Sequence, residues 1–298
     1  MIFRQLTLDA VNRATTTIEC AAGKSVNVAK VLRVLGQETV AAGFFGGDRG
    51  EQLRCILAGK GIELDFISVA PRTRLCTTVI DQATGAHTEL VEEGHPLGSA
   101  DYAQLNAIIE RHVAYCQAVV MSGSITPGGP MDLYSRTVQL AHRASALTVV
   151  DAQGDPLIQA LVAGPSLVKP NRAELAATVG RRLPDQGSLL SAMRELHERG
   201  ARRVVVTAGK EPALAFDGTR FWRITSPRIE ALNPIGSGDA FTAALVWRLL
   251  QGDDLGQACR WASAAGAANA LSLLPGELER ADVERLADKA EAELLAGA

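Results

Sequence analysis

The chain has 298 residues, 47% of them hydrophobic, and a formal net charge of −3 at pH 7. That much apolar material builds a large core, the charge offers no basic footprint for nucleic acid, and no apolar run approaches the ~18 residues that span a membrane. Aromatic residues make up only 4% of the chain, too few for a base-stacking platform.

In chain order, Met1-Ile2-Phe3-Arg4-Gln5-Leu6 lacks the basic start and apolar centre of a signal peptide. Five scattered cysteines (Cys20, Cys55, Cys76, Cys116 and Cys259) form no Cys-x-x-Cys pair, which fits reduced thiols and a cytoplasmic location. Residues 4–20 and 73–92 are rich in Thr, Val and Ile and alternate as strands do, as in Thr15-Thr16-Thr17-Ile18-Glu19-Cys20. The turn residues Asp81 to Gly85 predict a hairpin whose second strand is 87–92. Continuous apolar runs at 119–121, 147–151, 166–168 and 204–207 read as parallel strands buried on both faces. Helical stretches such as 130–144 and 186–200 separate them, and 237–250, 253–272 and 278–296 read as consecutive closing helices. The alternation predicts an α/β fold, a doubly wound, mostly parallel sheet whose ligands bind beyond the carboxyl ends of the strands.

The most informative segment is Asn233-Pro234-Ile235-Gly236-Ser237-Gly238-Asp239-Ala240. Its Gly-Ser-Gly turn opens an apolar helix stripe, so backbone N–H groups of Gly236, Ser237 and Gly238 and the helix dipole converge on one spot suited to a phosphoryl group. Asp239 sets a carboxylate beside that anion hole, where it can take a proton from an attacking hydroxyl. The same residues also suit a plain glycine turn with Asp capping a helix. Gly23-Lys24-Ser25 is not a Walker A loop, because Ile18 stands where its first glycine belongs, and Phe241 replaces the third glycine of a dinucleotide fingerprint. No His-Glu-x-x-His pattern or Cys/His cluster supports a transition metal.

The octapeptide resembles the signature of the PfkB (ribokinase-like) carbohydrate kinases, closest in form to the 1-phosphofructokinase and tagatose-6-phosphate kinase branch. Further segments match in the family's order: Ala22 to Leu32, Thr73-Arg74, Ser122 to Gly128, Lys169 to Leu175, and Val206 to Gly209. The resemblance spans residues 10 to about 275. It implies a ribokinase-like sheet with a small β-sheet lid, divided as lid strands 1–20 and 73–94 and core 21–72 and 95–298. It implies Asp239 as base, Lys24, Asn27, Arg74 and Ser124 around the sugar, and Lys169, Asn171, Thr207, Gly209 and Asn269 on the nucleotide side. Asn171 and Glu174, three apart at a helix start, match the family's Asn-x-x-Glu motif and imply Mg²⁺ held largely through water beside ATP. A helix cap with first-turn charge is the other reading of that pair. Arg72 and Lys30 are nearby cations given no role.

The expected activity is transfer of the γ-phosphoryl group of ATP to a phosphorylated ketohexose such as fructose 1-phosphate or tagatose 6-phosphate. A kinase of an unphosphorylated sugar or nucleoside, or a non-catalytic sugar-phosphate binder, are the alternatives. The expected partners are these small molecules and, through the lid, a second copy of the chain, with no nucleic acid or membrane. The sequence departs from the family at Cys76, at Glu211-Pro212, and at its start, which matches the stretch beyond the family's usual first strand. The expectation is an upstream extension of roughly 10–15 residues, about a strand and a turn.

Overall fold

The computed structural model describes residues 1–295. Along the chain run β1 (Ile2–Phe3), α1 (Lys24–Val34), β2 (Val40–Gly46), α2 (Gly47–Ala58), β3 (Glu63–Val69), β4 (Cys76–Asp81), β5 (Ala86–Val91), α3 (Ser99–Val113) and β6 (Ala118–Ser122). Then follow α4 (Leu133–Arg143), β7 (Leu147–Asp151), α5 (Gly154–Val162), β8 (Leu167–Val168), α6 (Arg172–Val179), α7 (Gln186–Glu198) and β9 (Val204–Ala208). The described chain closes with β10 (Glu211–Phe216), β11 (Phe221–Thr225), α8 (Ser237–Leu250), α9 (Leu255–Ala270), α10 (Arg280–Ala287) and β12 (Glu291–Leu294).

One sheet orders its strands β12-β11-β10-β9-β8-β7-β6. Strands β6 to β9 are parallel, and β10 to β12 extend them antiparallel. The parallel strands are apolar throughout because helices cover both faces, which leaves Val149, Val150, Leu167 and Val168 without exposure. One layer packs α1, α8, α9 and α10 over the sheet, and the other packs α4, α5 and α7 beneath it. Alanines along α9 let it lie close against α8. At Gly266 a Cβ would come within 3.1 Å of the Ser237 carbonyl, so glycine is what permits that approach at the start of α8.

A three-stranded sheet, β1-β4-β5, forms the lid, with β1 parallel to β4 and β4 antiparallel to β5. Asp81 accepts hydrogen bonds from Ala83 N and Thr84 Oγ1, and Gly85 takes φ 70°, closing the hairpin over the predicted residues. The predicted strand at 15–20 does not form. Thr16 makes only an isolated bridge to Ile2, and Ile18 stays 42% exposed, because no further backbone edge lies beside it. Ile2–Phe3 therefore joins the lid rather than the large sheet, and β6 is that sheet's edge among the described residues. Strands β2 and β3 pair in parallel as a separate two-stranded sheet, which α1 and α3 pack against.

The predicted closing helix at 278–296 is also corrected, with residue 296 outside the described residues. Helix α10 ends at Ala287, and residues 291–294 become β12 because β11 offers an open edge whose hydrogen bonds outweigh the helical preference of an Ala- and Glu-rich stretch. Pro212 falls in the register irregularity between β9 and β10, the one place in the hairpin where a missing N–H costs little. Among the described residues no helix is long and apolar enough to cross a membrane.

Candidate active site

Three carboxyl ends of parallel strands and three helix starts converge on one cluster. Asp239 lies in the first turn of α8, 7% exposed, and its Oδ2 accepts a hydrogen bond from Asn27 Nδ2 at 2.7 Å. Asn27 comes from α1, which packs along α8. Burial pushes the Asp239 carboxyl up to about 6; the nearby Asp151 charge adds to this, while the Asn27 hydrogen bond, Lys169 and Lys24 oppose it.

Asp151, at the end of β7, is 1% exposed and collects the cations of the site. Lys169 Nζ lies 3.0 Å from its Oδ2, Lys24 Nζ lies 3.3 Å from its Oδ1, and Thr242 Oγ1 donates to Oδ2 at 2.9 Å. Burial alone would raise this carboxyl, but the Lys169 and Lys24 charges hold it below the usual carboxylate range. Lys24 also bonds Glu174 Oε1 at 3.1 Å. Burial lowers the Lys24 ammonium pKa, yet Asp151 and Glu174 together raise it above its ordinary value. The Gly238 carbonyl lies 2.9 Å from the same Thr242 hydroxyl, so its single proton has two acceptors within reach, the glycine turn and the Asp151 carboxylate.

Gly236 caps α8 in the left-handed region at φ 82°, and a Cβ there would sit 2.7 Å from Pro275 Cβ. Glycine is thus required twice over, by conformation and by space. Ser237 N donates to Pro234 O at 3.1 Å within the turn. Gly236 N and Gly238 N have no acceptor among the described residues, and Lys169 Nζ would lie 3.9 Å from a Cβ on Gly238. Two amides without an acceptor thus stand at the start of α8, with an ammonium group beside Gly238, an arrangement that suits an anion.

On the other side of Lys24, Asn171 and Glu174 form a reciprocal capping box. Glu174 N donates to Asn171 Oδ1 at 2.9 Å and Asn171 N donates to Glu174 Oε2 at 2.8 Å. Thr207 bridges Asn171 in parallel at the end of β9. Gly209, in the following turn at φ 64°, has nothing within 4 Å of where a Cβ would stand. Asn269 does not reach that side, and its expected nucleotide contact is corrected. It is fully buried, donating to Ile235 O at 2.9 Å and Ser237 Oγ at 3.3 Å and accepting from Gly276 N at 2.7 Å, because α9 runs directly under the turn.

The structure gathers Lys24, Asn27, Lys169, Asn171, Glu174 and Asp239, but not Arg74 or Ser124. Arg74 is exposed just before β4 and Ser124 is exposed after β6, and neither bonds the cluster. Two buried oxygens lack any partner, Asn27 Oδ1 and Ser122 Oγ, and both belong to segments that frame Asp239 or Asp151. Asp151 and Thr242 were missed by the motif reading. Asp151 carried a signal, a carboxylate ending an otherwise apolar buried run, whereas Thr242 reads as one more helix residue.

The model of the pfkB family carbohydrate kinases matches residues 3–279. Tagatose-6-phosphate kinase of Staphylococcus epidermidis is 28% identical over 277 residues, covering 92% of this chain and 89% of the relative. The crystal structure of Escherichia coli phosphofructokinase-2 in complex with fructose-6-phosphate superposes with a TM-score of 0.85 at 28% identity, covering 96% of this chain and 93% of that one. A "possible 1-phosphofructokinase" of Thermotoga maritima has a TM-score of 0.90 at 22% identity, over 99% and 95% of the two chains, and speaks for the fold. With a family match over nearly its whole length, this chain belongs to the pfkB family of carbohydrate kinases.

Proposed function

We propose that this kinase transfers the γ-phosphoryl group of ATP to a hydroxyl of a phosphorylated ketohexose, with fructose 1-phosphate and tagatose 6-phosphate as leading acceptors. The observation that carries the reading is Asp239, a buried carboxyl pushed up to about 6 at the mouth of the Gly236–Gly238 turn. A base poised near neutrality can take the acceptor's hydroxyl proton as the bond to phosphorus forms. Gly236 N, Gly238 N and Lys169 would hold the γ-phosphoryl oxygens, where charge is spread during transfer. The unpaired Asn27 Oδ1 supports an acceptor hydroxyl donating beside Asp239, since a buried lone acceptor is costly until a donor arrives. Lys24 and Arg74 would meet the acceptor phosphate, with Ser124 at the sugar's edge. Thr207 and Gly209 would border the nucleotide, in the open space over the β9–β10 turn.

The Asn171–Glu174 pair fits Mg²⁺ held through water. Its hard oxygens stand at a helix start, and Glu174 Oε1 already takes a cation in Lys24. The metal would neutralise phosphate charge, while Glu174 and Asn171 fix where its water shell sits. For the assembly, Leu8, Val11, Leu75, Leu90 and Val91 expose apolar surface on or near the lid, which supports a lid-to-lid homodimer.

The unphosphorylated-sugar reading has one observation in its favour: Lys24 is already engaged by Asp151 and Glu174, which leaves only Arg74 unattached. A thermal-shift panel of matched sugars and sugar phosphates, followed by ADP release with ATP and Mg²⁺, decides between them. Stabilisation and ADP release with ketohexose phosphates are expected. Turnover with the free sugars alone would replace the proposal by the second reading, and ligand-induced stabilisation without ADP release by a non-catalytic binder.

A further inference from the structure

Lys30 sits on α1 one turn past Asn27, and at 4% exposure its cation is buried. Its three N–H bonds face three acceptors: Ala21 O at 3.0 Å, Pro275 O at 2.6 Å and Glu277 Oε1 at 3.2 Å. Glu277 is shared with Lys60 at 2.9 Å. Burial would raise the Glu277 carboxyl, but the Lys60 hydrogen bond and the Lys30 charge hold it below the ordinary range. The loop 272–277 that Lys30 grips is the back wall of the glycine turn. Pro275 lies against Gly236, Gly276 N is held by Asn269, and a Cβ on Gly276 would come within 3.0 Å of Lys30 Cε and 3.1 Å of Asn27 Cα. Leu273 O accepts from Asn233 Nδ2 at 2.8 Å, so the same loop also holds the segment leading into the turn. No contact of Lys30 reaches Asp239 itself.

We infer that Lys30 is a positioning residue for phosphoryl transfer: by holding Pro275 against Gly236 it sets the distance between the amide donors of the Gly236–Gly238 turn and Asn27–Asp239. This rests on the proposed reading of that turn as the phosphoryl cradle. The physical case is that the turn leans, through Pro275, on a loop anchored by a buried lysine whose three N–H groups are all taken. A cation that is desolvated and fully bonded is costly to leave half-paired, so the loop has one strongly preferred seat. Small displacements of groups that align a reaction are expensive in rate, about 10²-fold for roughly 1 Å.

The test is Lys30→Met, close in volume and without the charge, read by kcat, by ligand dissociation constants, and by amide hydrogen exchange of peptides spanning 233–240, all below the variant's unfolding temperature. The expected result is a kcat loss of about 10–100-fold, dissociation constants for ATP and the sugar phosphate within about threefold of the parent, and exchange in 233–240 faster by about tenfold or more. A folded variant with kcat within about threefold of the parent overturns the inference whatever its exchange shows. Should Lys30→Met fail to fold, Glu277→Gln keeps both backbone bonds of Lys30 and is expected to show the same signature at about 3–10-fold, and an unchanged kcat there overturns it equally. If the parent phosphorylates no sugar, the proposed function falls, while unchanged exchange in the variant is what removes the clamp.

Discussion

The carboxyl ends of β7 and β8 and the strands of the lid treat charge in opposite ways. In the core, Asp151, Lys169 and Asp239 are 1%, 3% and 7% exposed, and each is bonded before any ligand arrives. In the lid, Leu75, Leu90 and Val91 are about half exposed, at 49%, 58% and 50%, and the neighbouring Arg74 has no bonded partner among the described residues. The core thus meets its ordering cost during folding and presents a fixed electrostatic frame, while lid groups must be ordered when a ligand binds. Chemistry is expected to fail on core substitutions and acceptor preference to shift on lid substitutions.

The strongest challenge to that division is Asp151→Ala. It leaves Lys169 buried without a carboxylate, and a loss of about 3–5 kcal/mol in urea-melt stability is expected. A loss under about 1 kcal/mol would mean the core frame is less dependent on its ion pairs than its burial implies. Asp239→Asn comes next, with turnover lowered by at least about 10²-fold and ATP affinity nearly unchanged, measured by steady-state ADP release and calorimetry. Turnover within a few-fold of the parent would remove Asp239 as base.

The pH dependence of the same residue has a definite sign. The Asp239 carboxyl titrates near 6 in the fold, against about 3.9 in an unfolded chain, so the native state keeps a proton that the unfolded chain releases. Its contribution to stability is therefore greatest below pH ~4 and is lost as pH rises through about 6. Asp239→Asn should be the more stable protein at pH ~8, on the order of 2 kcal/mol, while the parent's kcat/KM should fall below pH ~6. Denaturation curves of both proteins at two pH values check the first statement, and a pH–rate profile checks the second.

Lys24→Ala and Arg74→Ala sharpen the contrast at smaller scale. Each is expected to weaken a ketohexose phosphate by roughly 1.5–3 kcal/mol if the charge-assisted bonds form. Only Lys24→Ala should also change stability, since Lys24 is paired with Asp151 and Glu174 while Arg74 bonds nothing among the described residues. Calorimetry with matched sugar and sugar-phosphate pairs separates them, and equal losses for both ligands would favour the unphosphorylated acceptor. The smallest expected effect is Leu90→Lys, within about 0.5 kcal/mol on folding, with loss of self-association in sedimentation if the lids pair. An unchanged sedimentation profile would remove Leu90 from any interface.

Much of the core was legible because burial leaves little choice. The runs at Val149-Val150 and Val204-Val206 read as strands covered on both faces, and Gly236 with Asp239 reads as a turn opening a helix. The motifs carried the family and drew Lys24, Asn27, Lys169 and Glu174 into one neighbourhood. Where local pattern lost, long-range pairing had decided. Residues 15–20 alternate like a strand yet find only the two-residue β1, bridging it at Thr16, while 291–294 read as helix yet find a full edge in β11. Asn269 stands in a late helix with nothing local to say that its amide is spent on Ile235 O and Gly276 N. Lys30 looked like a spare cation because its three acceptors come from residues 21, 275 and 277, far apart in the chain.

The two-stranded sheet β2–β3 has a bearing on how the molecule opens. Its ladder joins β2 to β3 alone, and it meets the large sheet through α1 and α3, by side-chain packing and not by a shared ladder. Segments joined that way tend to exchange as separate cooperative units. The stretch from 40 to 69 should therefore open at a lower free energy than β7 to β9, without global unfolding, and α1 would feel each opening at one flank. Protease cutting under native conditions should begin there, and the first lasting fragments should still contain the sheet of β6 to β12.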